Sequence, residues 1–143
     1  MAQSRFFDQF ETRQDIFNFV CRKLWEQNEI SVLNDQCRYQ SGNLKCAIGH
    51  LIPEDFYNEE FEGNAFSNFL SYLSQNSEEG NNKELFDFFY QFKGDDSFFP
   101  QMQFIMHDNM ISIDGQFQSN LIEGANIFAS TFNLTPYKFP DTE

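Results

Sequence analysis

Positive charge is scarce in this 143-residue chain. Nine lysines and arginines stand against 22 aspartates and glutamates, for a formal net charge of −13. So acidic a surface repels phosphate, which argues against direct nucleic-acid binding and against attachment to an anionic membrane. Long apolar runs are also missing: no window approaches the roughly 18 apolar residues of a membrane span. The opening run Met1-Ala-Gln-Ser-Arg-Phe-Phe-Asp8 lacks the apolar stretch of a secretory signal. Cysteine is limited to Cys21, Cys37 and Cys46, an odd number in a chain long enough to fold without staples. A reduced, cytosolic setting is the expectation. Leucine is short too, with nine copies, so the core has to be built from something else.

That something is phenylalanine, which occurs 20 times. Its large apolar area and few rotamers let a small number of stripes fill a core. Asparagine and glutamine are abundant, at 14 and 12, a mix that an AT-rich genome also produces. The acid is unevenly spread. Residues 54–96 hold eleven carboxylates and two lysines, and so carry −9 of the −13.

Apolar spacing predicts helices over 12–27, 64–75, 83–93, 98–108 and 120–133. The first is the clearest. Thr12 is placed as N-cap with Asp15 three residues on, and Ile16, Val20 and Leu24 recur at i, i+4 and i+8. Gly94 suits the end of the third helix, and Pro100 is tolerable only in the first turn of the fourth. The run 111–117 alternates and contains Asp-Gly, which suits a hairpin or, better, a turn between helices. Residues 28–61 read as a long irregular loop. Within it, 44–52 reads as a short helix behind Asn43, and Pro53 opens a further helical turn. The expected fold is all-α: a compact single domain over 1–143, with about five helices, the 28–61 loop packed across them, and a loose tail at 137–143. Phe6, Phe7, Phe10, Phe56 and Phe61 fall outside these helices. They form either satellite core or a protein-binding patch.

Three groupings bear on chemistry. Cys37, Cys46 and His50, with His107 or Cys21, offer thiolate and imidazole donors of the kind zinc takes, though without the close Cys-x2–4-Cys spacing of strong zinc sites. Against this, buried structural cysteines explain the same residues. Cys46 near the start of a short helix, with His107 as base and Asp108 as orienter, would make a nucleophilic pair. Adjacent residues on a helix point about 100° apart, however, so Asp108 is poorly placed to orient His107. Glu54, Asp55, Glu59, Glu60 and Glu62 form a carboxylate cluster without the spacing of a calcium loop. It reads as an acidic contact face or, alternatively, a carboxylate-lined catalytic site.

The central stretch also carries a pattern: Cys37-x-Tyr39, then Lys45-Cys46-Ala47-Ile48-Gly49-x-Leu51-Ile52, then Tyr57, Glu62-Gly63, and His107-Asp108. It resembles a family of small, functionally uncharacterised proteins of bacteria and their phages or mobile elements. The resemblance implies a context rather than a reaction. It singles out Cys37, Tyr39, Lys45, Cys46, Gly49, Tyr57, Glu62, Gly63, His107 and Asp108, of which Gly49 and Gly63 would permit tight backbone geometry. The function expected is a non-enzymatic protein-binding or accessory factor, with no cofactor, whose acidic segment meets a protein with a basic surface. An inhibitor of a nucleic-acid-binding protein is one form of this. An enzyme using Cys46 with His107 or the Glu54–Glu62 carboxylates, and a zinc-stabilised interaction module, are the alternatives.

Overall fold

The computed structural model describes residues 6–29, 31–33, 36–94, 97–107 and 117–140. Among these the fold is all-α, with five α-helices: α1 (Arg13–Gln27), α2 (Phe66–Gln75), α3 (Asn82–Phe92), α4 (Phe98–Met106) and α5 (Phe117–Thr131). No helix among them is long and apolar enough to cross a membrane.

Local chemistry starts α1 as expected. The Asp15 amide donates to Thr12 Oγ1 at 3.2 Å, and the Asp15 carboxylate accepts from the Thr12 and Glu11 amides at 3.1 and 2.9 Å. This is a reciprocal capping box. The Glu11 and Thr12 bonds hold the Asp15 carboxyl below its ordinary range, against a smaller opposing effect of burial. Asn28, with φ of 57°, ends the helix in the left-handed region. Ile16, Phe17, Val20 and Leu24 are fully buried.

Helices α2 and α3 pack together across the 76–81 turn, α4 packs on α5, and α5 on α1. The core between them is mostly aromatic. Phe89 of α3 lies 4.9 Å from Phe99, 5.6 Å from Phe69 and 5.7 Å from Phe66, ring centre to ring centre. All three pairs are steeply inclined, edge toward face, the geometry that aromatic quadrupoles favour. Phe10, Phe56 and Phe61 are buried and Phe6 and Phe7 pack against the same core, so these five are core and its cover, not a free patch. Arg13 ties the start of α1 to the α3–α4 junction. Its Nε donates to Phe92 O at 2.9 Å and its guanidinium lies over the Phe98 ring. Pro100 occupies the first turn of α4, where its missing N–H costs no helical bond. Tyr137 and Phe139 lie against one another and Phe139 against Trp25.

The loop between α1 and α2 has more structure than its sequence suggests. It holds two small antiparallel hairpins, β1 (Val32–Leu33) with β2 (Gln36–Cys37), and β3 (Gln40–Ser41) with β4 (Leu44–Lys45). In the second, Gln40 stands opposite Lys45 and Ser41 opposite Leu44. The short helix expected over 44–52 is therefore replaced by strand β4 and, after a turn, a single 3-10 turn at Gly49–Leu51. The helical turn expected after Pro53 is present at Glu54–Phe56, and another follows at Glu59–Phe61. The fourth helix stops at Met106, with His107 as its cap. Asp108 and the possible hairpin up to residue 116 lie outside the described residues.

Candidate functional site

Of the residues singled out in the central stretch, Tyr39, Lys45, Cys46, Gly49, Tyr57 and Glu62 gather at the β3–β4 hairpin, where Glu62 binds its first strand. Its carboxylate accepts from the Tyr39 amide at 3.0 Å, the Gln40 amide at 3.1 Å and the Tyr57 hydroxyl at 2.6 Å. Arg38 stands 3.9 Å away as its nearest charge partner. Burial first, and then the bond to Glu62, push Tyr57 up to about 12. Tyr39 is buried, donates its hydroxyl proton to Asn64 O at 2.6 Å, and accepts the Cys46 amide on its carbonyl at 3.3 Å. The two glycines of the stretch serve different ends. Gly63 takes a φ of +79° in open space, a conformation that disfavours a Cβ. Gly49 needs its missing side chain for room, because a Cβ there would run into the Tyr39 carbonyl.

Cys46 is fully buried, and its Sγ accepts the Gly49 amide at 3.3 Å. It belongs to the turn after β4 and lies at no helix start, so the dipole argument for an activated thiolate falls away. His107 is fully buried at the end of α4, and its Nε2 accepts the Ser31 amide at 2.8 Å. That bond occupies the lone pair on Nε2, so this nitrogen is not free to take a thiol proton while it stands. The histidine fastens the start of the first hairpin to α4. Cys21, the third cysteine, is buried in α1, and burial pushes its thiol well above the ordinary range. Among the described residues no three His, Cys, Asp or Glu side chains gather as metal ligands. The Cys37 side chain lies outside those residues. His50 faces the other way, toward α1, and is partly buried.

The acidic cluster divides. Glu62 turns inward, while Glu54, Asp55, Glu59 and Glu60 are exposed. The division follows from the two 3-10 turns. Glu54-Asp55-Phe56 and Glu59-Glu60-Phe61 each turn two acids out and bury a phenylalanine. Arg38 reaches Glu59 at 3.0 Å, and Gln40 Nε2 reaches Glu54 at 2.9 Å. A cleft of about 290 Å³ opens beside this edge, lined by Arg38, Tyr39, Cys46, Glu62, Gly63 and the α4 residue Gln103.

Sequence reasoning missed the glutamines. Gln27 at the end of α1 accepts the Lys45 amide at 2.9 Å and donates to the Lys45 carbonyl at 2.8 Å. Gln103 accepts the Ile48 amide at 3.0 Å. Gln14 holds Thr135 by its amide and carbonyl, at 2.8 and 2.9 Å. The only signal for them was the abundance of glutamine itself, which spacing does not resolve into partners. No family model matches the chain, and no curated protein or solved structure matches it.

Proposed function

We propose that the chain is a non-enzymatic, cytosolic binding protein that engages a basic surface on another protein through Glu54, Asp55, Glu59 and Glu60. The observation that carries this reading is the pair of 3-10 turns, which sets four carboxylates outward on backbone anchored by Phe56 and Phe61. A fixed array of like charge presented on an anchored edge loses little conformational entropy when it meets a complementary surface. Glu62 sits behind the edge as a structural member. The engaged Nε2 of His107 and the burial of Cys46 weigh against the enzyme alternative. In the bacterial or phage setting that the central pattern implies, a nucleic-acid-binding protein is the natural owner of such a basic surface, and this chain would block it.

The test immobilises the wild type beside a variant carrying Glu54→Gln, Asp55→Asn, Glu59→Gln and Glu60→Gln, with Glu78→Gln/Glu79→Gln as a control acidic pair. The expected outcome is a basic protein held by the wild type and the control, released as salt is raised toward about 0.5 M, and not held by the fourfold variant. Equal retention by the fourfold variant, or retention insensitive to salt, overturns the reading.

A further inference from the structure

On the side of the hairpin away from Glu62, a pocket of about 470 Å³ lies between α1 and the β3–β4 turn. Its chemistry runs against the rest of the molecule. In a chain with only nine lysines and arginines, two of them, Lys23 and Lys45, line this one pocket. Neither has an ion-pair partner among the described residues, although 22 carboxylates are available in the chain. Elsewhere three cations are ion-paired, Arg22 with Glu26, Arg38 with Glu59 and Glu62, and Lys83 with Asp87, whereas Lys23 Nζ lies over the Phe19 ring at 5.6 Å. The third basic group is His50, whose Nε2 is shielded from solvent and has no hydrogen-bond partner among the described residues. The single acid in the lining, Glu54, is held by Gln40 Nε2. Phe6 and Phe19 supply aromatic walls, their rings 5.5 Å apart.

We propose that this pocket binds a small phosphomonoester carried on an aromatic body, with the dianion between Lys23 and Lys45, the His50 imidazole alongside, and the aromatic ring against Phe6 and Phe19. Two point-charge ammonium groups suit a phosphate dianion. The volume falls within the range of small-ligand sites and exceeds what a bare phosphate fills. The site is independent of the acidic edge proposed above, apart from Glu54 on its rim. Burial foremost, then Lys45 and Lys23, push the His50 imidazole down to about 3. A bound dianion offsets the two lysine charges, so occupation should return the ring part of the way toward ordinary histidine behaviour.

The test is an NMR titration of the full chain with phenyl phosphate and, separately, inorganic phosphate, following the His50 ring and the Asn43 and Lys45 amides. Saturable shifts with phenyl phosphate are expected, with inorganic phosphate about tenfold weaker for want of the aromatic contact. Lys23→Gln and Lys45→Gln should each weaken binding about fivefold or more, and Lys83→Gln, which only breaks the pair with Asp87, should not. In the complex, the midpoint of the His50 ring titration should move upward. Absence of saturable shifts at His50 in the wild type overturns the site. So does equal binding by the two lysine variants, and equal affinity for the two probes overturns its aromatic half.

Discussion

Phe89 and Glu62 stand for two regions built by different means. Phe89 meets Phe66, Phe69, Phe88 and Phe99, and every one of those contacts is apolar. Glu62 meets two backbone amides and a tyrosine hydroxyl, and each contact is a directed hydrogen bond. The helices are held by burial, which tolerates adjustment of angle and position. The hairpins and 3-10 turns of 31–63 have too few ladder bonds to stand alone, and two-stranded hairpins are marginal in water. They are held by the burial of Leu51, Phe56 and Phe61 and by side chains that satisfy their backbone: Glu62 from the segment itself, and Gln27, Gln103 and His107 from beyond it. One region is specified by volume, the other by volume and valence together.

That contrast can be broken from either side. The largest effect is expected from Phe89→Ala, which removes a fully buried ring from the centre of the aromatic core. It should cost about 3–5 kcal/mol, and in urea denaturation near- and far-ultraviolet dichroism should fall together, because the loop has no support without the helices. Gly49→Ala comes next. The new Cβ meets the rigid Tyr39 carbonyl, so the hairpin has to shift, at about 3 kcal/mol. Gly63→Ala, with open space but a φ of +79°, should cost only about 1 kcal/mol. If the two glycine variants melted alike, steric contact would not be what Gly49 relieves. Glu62→Ala falls between the two glycine variants, at about 2 kcal/mol, but its effect should be the most local. The amides of Tyr39 and Gln40 should exchange hydrogen far faster while those of α1 and α3 keep their protection. Uniform loss of protection would mean the two regions form one cooperative unit.

The same contrast explains what was legible in the sequence. The α1 stripe and its Thr12–Asp15 cap are local patterns, repeated within one or two turns, and both are present as expected. Helices α2 to α5 were also readable by spacing, with ends displaced by up to three residues. The hairpins were not, because two-residue strands are too short to display alternation. One signal was overlooked: Gly42-Asn43 between β3 and β4 is a two-residue turn sequence, and Gly42 has the positive φ, 62°, that such turns require. The strand at Leu44–Lys45, in place of the start of the expected helix, follows from it. For the site, the chemical types in the central stretch were recognisable but their duties were not. The His107 to Ser31 bond spans 76 positions, and Gln27 to Lys45 spans 18. Such pairings are set by tertiary placement, on which no local spacing bears. The acids were visible as a cluster, yet the reason Glu62 alone turns inward lies in the backbone amides it meets.

Gln40 and Lys45 stand opposite each other on β3 and β4, and each has an outward-facing side already occupied. The Glu62 carboxylate takes the Gln40 amide on one flank, and the Gln27 side-chain amide takes both the N–H and the C=O of Lys45 on the other. A side-chain amide repeats the donor and acceptor of a peptide unit, so Gln27 acts as a strand one residue long. A bare hairpin edge is a template on which a second chain can add a strand, the first step toward aggregation. Here both margins are closed by the protein's own side chains, so a two-stranded ribbon behaves as though it had no edge to offer.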